Sequence, residues 1–331
     1  MSPAVDPGVL VISLDFELHW GVRDLTPVDG PYRGNLLGAR EAVPRMLDLF
    51  ERFELGATWA TVGFLFASTR DELERLSPEV RPGYVDENLS PYEEPVGDSE
   101  ASDPFHLARS LVDLIRTAPR QELASHTFSH YYCLEPGQDE AAFRADLESA
   151  VRIAHEQGDR LETIVFPRHQ LNPAYVDAIR ELGFSCYRGN HPTSLFSAHT
   201  GAFDPMPVRI LRLLDAYVDL KGPSLASWDE LLEETGLCNV PASRFLRPYH
   251  PALALLEPLR LRRITKALDQ AAASGRIFHL WWHPHNFGAH VDENLRFLEQ
   301  VLAHFARLRD AGRMRSMTMG EVAALAKARQ S

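Results

Sequence analysis

Gln121-Glu122-Leu123-Ala124-Ser125-His126-Thr127-Phe128-Ser129-His130 is the stretch on which the reading of this chain turns. Gln121 to Ser125 reads as a short strand. His126 and His130 follow at i and i+4, where the strand ends and a turn of helix is expected, so both imidazoles fall on one side. A divalent metal requires that kind of convergence. The flanking Ser125, Thr127 and Ser129 can hold the turn or orient an imidazole from behind. Cys133 is near enough in sequence to be a third, soft ligand, but a lone cysteine is more often a small buried apolar residue.

Working outward, Val9 to Glu17 alternates. Val11, Ser13, Asp15 and Glu17 share one face, and Ile12, Leu14 and Phe16 the other. Asp15 and Glu17 therefore point the same way, roughly 7 Å apart. One can ligate a metal while the other serves as a base. Towards the other end, Phe278-His279-Leu280-Trp281-Trp282-His283-Pro284-His285 reads as a strand stopped by Pro284. His279 lies deep in that strand and suits a core hydrogen bond. His283 and His285 sit at its end, where an imidazole can donate a proton to a leaving nitrogen. Phe166-Pro167-Arg168-His169 follows another strand, and Arg168 can orient a carboxylate with its fork of donors.

Between these motifs strands and helices alternate. Helices are expected over Leu36–Phe53, Asp139–Gln157, Pro173–Leu182, Asp292–Arg309 and Gly320–Ala328. Strands are expected over Gly56–Gly63, Glu162–Phe166, Phe184–Tyr187 and Arg276–Trp282. This rhythm implies an α/β fold of parallel β/α units, and polar residues at successive strand ends imply a barrel with its site at the C-terminal rim. The chain is expected to form one domain over residues 1–331, with rim insertions at about 71–103 and 190–258. The first is acidic and carries several prolines, as a lid over the rim would. The second concentrates Arg244, Arg247, Tyr249 and His250.

Composition narrows the function. The 331 residues are 45% hydrophobic, enough for a large core, and no apolar run is long enough to span a membrane. A net charge of −12 disfavours nucleic acid and anionic membrane surfaces as partners. Three cysteines argue against a disulfide framework. The run Val9–Leu14 is too short for a secretory signal, so a cytoplasmic location is expected.

The set resembles the NodB-type polysaccharide deacetylases, carbohydrate esterase family 4, in motif order from about residue 9 to 320. Asp15-Phe16-Glu17 is similar to that family's first motif, His126 to His130 to its metal-binding second, Phe166-Pro167-Arg168 to its third, and the strand ending at His283 to its last. Two departures are visible: Asp-Phe-Glu replaces an adjacent Asp-Asp, and arginine follows proline instead of preceding it. The resemblance implies an incomplete (β/α) barrel and metal-dependent removal of an N-acyl group, most often acetyl, from an amino sugar. It implies Glu17, His126 and His130 as ligands, Asp15 as base, Arg168 as its positioner and His283 as acid, with the roles of Asp15 and Glu17 exchangeable. Zinc suits two imidazoles and a carboxylate, as cobalt, manganese or nickel also would. Trp282, His285 and Arg247 are expected to contact substrate, and Arg168, Arg244 and Arg247 to recognise a phosphate or sugar carboxylate. For a cytoplasmic protein the expected substrate is an N-acylated sugar, a sugar nucleotide or a lipid-linked precursor of a cell-surface glycan. The rival readings are an allantoinase-like hydrolase of a small cyclic amide, a sugar-binding protein without turnover, and a purely structural role.

Overall fold

Alternation along Gly8–Phe16 separates two environments, and the computed structural model, which describes residues 6–190, 211, 213–218 and 222–330, realises both. Strand β1 (Gly8–Phe16) sends Leu10, Ile12, Leu14 and Phe16 into an outer core shared with the helices. Val9 and Val11 enter a second core inside the curl of the sheet. The remaining described strands are β2 (Ala57–Thr61), β3 (Gln121–Ser125), β4 (Thr163–Val165), β5 (Cys186–Arg188), β6 (Cys238–Asn239), β7 (Arg244–Phe245), β8 (Ile277–Trp282) and β9 (Met314–Ser316). Their order is β6-β5-β4-β3-β2-β1-β8-β7, with β9 also paired to β1, and all these pairings are parallel. The sheet is a curled, incomplete (β/α) barrel, as expected from the alternation of elements.

Helices close its outer face. They are α1 (Arg33–Arg52), α2 (Arg70–Leu76), α3 (Arg109–Thr117), α4 (Glu140–Glu156), α5 (Val176–Glu181), α6 (Glu257–Ser274), α7 (Val291–Asp310) and α8 (Met319–Gln330). Helix α8 acts differently from the rest. Its Met319, Val322, Ala323 and Ala326 join Val9, Val11, Val165, Cys186, Cys238 and Ile277 inside the curl, plugging the N-terminal end of the barrel. The interior is therefore largely apolar at its base, where Thr58, Thr163 and Glu122 bond one another and the start of α8, and polar towards the opposite rim.

Most of the expected elements occur within a few residues of their sequence-based limits. Helices α3 and α6 and strands β6, β7 and β9 were not anticipated. The three strands have only two or three residues each, too few to show a period. Helix α6 buries Arg260 and Arg263 on its packed face, which disguises the apolar stripe. Arg260 lies over the Phe297 ring at 3.7 Å, and Arg263 pairs with Asp215. The acidic 71–103 segment is partly helical, since α2 occupies its start, and its later part lies on the strand-end side of the sheet. There Tyr84 Oη accepts the Tyr132 N–H at 2.9 Å, and Val85 N–H donates to Pro136 O. The 190–258 segment falls partly outside the described residues.

The histidine stretch is not a turn of helix. Thr127 and His130 both have positive φ (62° and 60°), and the chain between them is an irregular loop. Asp146 of α4 holds it, accepting the N–H groups of Phe128 (2.7 Å) and Ser129 (3.1 Å) and the Ser129 hydroxyl. Burial pushes the Asp146 carboxyl up to about 7 against those three hydrogen bonds. Asp146→Ala should cost roughly 2–4 kcal/mol, because it strands buried donors. The folded-state pKa lies above the unfolded value near 3.9, so Asp146 stabilises fully below about pH 4 and loses that contribution as pH rises through 7. Urea unfolding should show the gap between wild type and Asp146→Ala narrowing by roughly 1–3 kcal/mol from pH 5 to 7. A constant gap would mean that the hydrogen bonds keep the carboxylate ionised throughout.

Candidate metal centre and active site

Asp15 is the last inward-facing position of β1, and Glu17 follows just beyond the strand end, so both carboxylates stand on the rim floor. Each is almost wholly buried. Glu17 Oε2 lies 3.2 Å from His126 Nε2 and 3.1 Å from His130 Nε2. Tetrahedral zinc with ligand bonds near 2.0–2.2 Å would separate its ligand atoms by roughly 3.3 Å, so the donor set fits a divalent ion. The His126 ring is also oriented for it: Nδ1–H donates to Val165 O at 2.9 Å, leaving Nε2 with its lone pair free.

The other oxygen of Glu17 faces the end of β8. Oε1 is 3.5 Å from His283 Nε2 and 3.9 Å from His285 Nε2, and the two rings stack with centroids 5.2 Å apart. Glu17, His283 and His285 thus form a second possible ligand set around the same carboxylate. Glu17 is held well below the usual carboxylate range. Burial opposes this, but the imidazoles of His283, His126 and His130 outweigh it. His285 is pushed down to about 3, burial being the main cause, so at neutral pH it is uncharged. His283 is the most open of these side chains, at 23% exposure against 5% or less for its neighbours.

Asp15 has a partner that the sequence did not reveal. Arg188, at the end of β5, crosses the barrel interior and grips both carboxylate oxygens, Nη1 to Oδ1 at 2.6 Å and Nη2 to Oδ2 at 2.7 Å. It also donates to Ser13 Oγ at 2.9 Å, and its guanidinium lies 4.4 Å from the Trp281 ring centre. Burial would raise the Asp15 pKa, but the Arg188 charge overrides it and holds the carboxyl at about 2. Cys186 and Arg188 face inward while Tyr187 joins the outer core. Extending the strand expected at Phe184–Tyr187 by one residue would have placed Arg188 on the inner face.

Several expectations need correction. Arg168 does not position Asp15: its φ of 51° turns the chain, and its guanidinium pairs with Asp24 and faces Glu135 at 3.6 Å while lying 4.2 Å from the Tyr132 ring centre. Trp282 is not on the rim. Alternation sends it to the outer core, fully buried and stacked on Phe287, while Trp281 and His283 face inward. Arg244 already pairs with Asp215, so it and Arg168 both face carboxylates and are poorly placed to receive an anion. Arg247 lies beside Tyr217 and Arg260, with its backbone carbonyl accepting from the latter. His283 lies beside Asp15. Because β8 pairs with β1 and Leu14 aligns with Trp282, the next residues are neighbours, 3.8 Å apart. His279 does take its core role, with Nε2 to Ser13 Oγ at 2.8 Å and Nδ1 to Val240 O at 3.1 Å.

No protein-family model and no curated protein matches the sequence. Solved structures do match. A Mycobacterium smegmatis protein assigned as a polysaccharide deacetylase aligns at 14% identity over 100% of this chain and 93% of its own, with a TM-score of 0.61. A Pseudomonas aeruginosa PAO1 protein with the same assignment aligns at 12% identity over 96% and 89%, TM-score 0.51. The chain has the NodB-like fold of the polysaccharide deacetylases. The Puue allantoinase is also similar, at 12% identity, 97% and 91% coverage and a TM-score of 0.54, so this fold does not by itself choose the reaction. Among the described residues no helix is long and apolar enough to cross a membrane.

The Asp15–Arg188 pair is open to a stability test. Removing one partner of a buried pair strands the other charge, so Arg188→Met should cost on the order of 3–5 kcal/mol in urea unfolding. Combining it with Asp15→Asn should recover much of that loss. Equal costs for the single and double variants would mean that Arg188 matters through packing on Trp281 instead.

Proposed function

We propose that this protein is a metal-dependent hydrolase that removes an N-acyl group, acetyl in the first instance, from an amino sugar or sugar precursor. The observation that carries the reading is the convergence of Glu17 Oε2 with His126 Nε2 and His130 Nε2, beside a carboxylate locked in place by Arg188. Glu17, His126 and His130 would hold the ion, zinc being the best match and cobalt, manganese or nickel the alternatives. When bound, the ion supplies Lewis acidity, lowering the pKa of water and polarising an acyl oxygen.

The chain's own groups supply the rest. Asp15 is ionised at any working pH, and the bidentate grip of Arg188 fixes its direction. A carboxyl held near 2 is a weak base, so Asp15 can accept a proton only from strongly acidified water. His283 is next to it and the most open of the group, so it is the side chain that can reach a leaving amine. Its Nδ1 lies 3.1 Å from the Asn286 side chain, which in turn accepts from Tyr32 Oη, so the imidazole is braced from behind. His285 is deeply buried and sits better as a support for His283 or Glu17 than as a direct substrate contact. We further propose one barrel unit over 1–331, with 71–103 as a rim insertion; 190–258, expected as a second one, instead carries the barrel strands β6 and β7. On this reading the substrate is a sugar nucleotide or lipid-linked sugar used in cell-surface glycan synthesis.

The decisive assay incubates metal-reconstituted protein with N-acetylated sugar nucleotides, N-acetylated oligosaccharides and allantoin, followed by mass spectrometry. Loss of acetyl from a sugar supports the reading; ring opening of allantoin alone would replace it with cyclic-amide hydrolysis, and binding without turnover would leave a sugar-binding protein. His283→Ala should lower turnover by roughly 10²–10⁴-fold with metal content intact. If that variant instead loses its metal, His283 is a ligand and the roles around Glu17 must be exchanged.

A further inference from the structure

Two residues beyond Glu17 the chain offers a second convergence of ligands. His19 Nδ1 and His106 Nε2 face each other at 2.8 Å, and Glu94 Oε1 stands 3.7 Å from the first and 3.6 Å from the second. Both imidazoles are nearly inaccessible, while Glu94 is 23% exposed.

The partners on the far side of each ring fix what the near side can do. His19 Nε2 lies 3.0 Å from Thr26 O, a carbonyl that can only accept, so this nitrogen carries the hydrogen. His106 Nδ1 lies 2.8 Å from Asp103 Oδ2. Asp103 also accepts the N–H groups of Gly97, Phe105 and His106, which makes it a carboxylate and an acceptor. His106 Nδ1 therefore carries the hydrogen too. With both far nitrogens donating, the neutral forms of His19 and His106 would present two lone pairs to each other and to the carboxylate of Glu94, whereas a proton on His106, which Asp103 and Glu94 favour against burial, would bridge the rings. Three acceptors aimed at one buried point repel one another unless a cation, a proton or a metal ion, lies between them. Imidazoles backed by a carbonyl and by a carboxylate are also the usual outer surroundings of metal-binding histidines.

We infer that His19, Glu94 and His106 form a second divalent transition-metal site, separate from the one at Glu17, His126 and His130. Two nitrogens and one carboxylate oxygen suit zinc, and a solvent molecule would complete four ligands. The two carboxylate-to-imidazole separations already suit tetrahedral coordination. The imidazole pair must open by about half an ångström to do so. A cleft lined by Trp20, Phe64, Arg81, Tyr92 and Glu94 reaches the carboxylate side of the cluster.

The role follows from where the ligands come from. His19 is on the turn after β1, Glu94 is in the 71–103 segment and His106 precedes α3. An ion there ties the rim segment to the chain that carries Glu17, so the site is structural.

The test strips the protein with a chelator, reloads it with Zn²⁺, removes loosely held ion by gel filtration and counts metal per chain. Wild type should retain two equivalents. Glu94→Gln and His106→Gln should each retain one, Glu17→Gln should retain the other, and Glu17→Gln combined with His106→Gln none. Hydrogen exchange over residues 84–96 should quicken in the metal-free protein and in Glu94→Gln, but not in Glu17→Gln. Because Glu94 is partly exposed and glutamine has nearly its shape, that variant keeps the test valid if His106→Gln misfolds. A single equivalent that survives both Glu94→Gln and His106→Gln overturns the inference and leaves a proton shared between the imidazoles. A single equivalent abolished by those variants but kept in Glu17→Gln upholds it and overturns the metal centre at Glu17 instead. A chain that retains no zinc overturns both.

Discussion

Two carboxylates buried two residues apart at the end of one strand are the constraint around which this molecule is arranged. Neither Asp15 nor Glu17 can remain charged away from water without compensation, since an unpaired buried charge costs several kcal/mol. Asp15 is compensated by Arg188, which reaches it only because the sheet curls far enough to bring β5 opposite β1. A flat sheet of the same strand order would leave three strands between them. Glu17 is compensated by the imidazoles of His283, His126 and His130, from two different strand ends. Curl, strand order and rim chemistry are in this sense a single solution.

The interior follows the same logic from base to rim. At the base, valines of β1 meet small and apolar residues of the neighbouring strands and the plug supplied by α8, and Glu122 accepts from Thr58, Thr163 and the start of that helix. One layer up, Ser13 accepts from Arg188 and lies 2.8 Å from His279 Nε2, so the first polar layer is closed on itself. The layer above, at Asp15, Glu17 and the histidines, has hydrogen-bonding capacity left over. His130 Nδ1 and His285 Nδ1 are buried without a protein partner.

Local pattern was enough to read β1 and β8, and with them the facing of Asp15, Glu17, His279 and His283, because a period of two is visible in nine or six residues. It also gave the parallel α/β class. What escaped was everything that depends on which strand lies beside which. Nothing in the spacing says that β8 pairs with β1, so the proximity of His283 to Asp15 was hidden. The choice of arginine failed for a related reason. Arg168 occupies the place the motif suggests but has a left-handed backbone that aims it at Asp24, whereas Arg188 lay one residue past the expected end of its strand. Trp282 is a different kind of error, since the alternation that placed His283 on the rim already assigned its neighbour to the opposite face. The third ligand cluster was invisible because His19, Glu94 and His106 are brought together by loops with no period at all.

The loops at the rim are held in unfavourable backbone shapes, and the pattern is not random. Among the described residues, positive φ at non-glycine positions occurs at Leu18, Thr127, His130, Arg168 and His169, all just past the ends of β1, β3 and β4, and at Glu54, Arg120 and Ser224 elsewhere. Each such residue costs on the order of 1 kcal/mol or more, so it persists only where surrounding contacts dictate it. At Leu18 the sharp turn carries the chain from Glu17 to His19. At Thr127 and His130 it shapes the loop that brings two imidazoles onto one oxygen. The compensation is identifiable: Asp146 secures the backbone at 128 and 129, and Thr127 Oγ1 accepts the Tyr131 N–H at 2.7 Å. Strain concentrated at the ligand-bearing loops, with the clamps placed immediately behind them, is what preorganising a cation site requires, because the ligands are then oriented before the ion arrives.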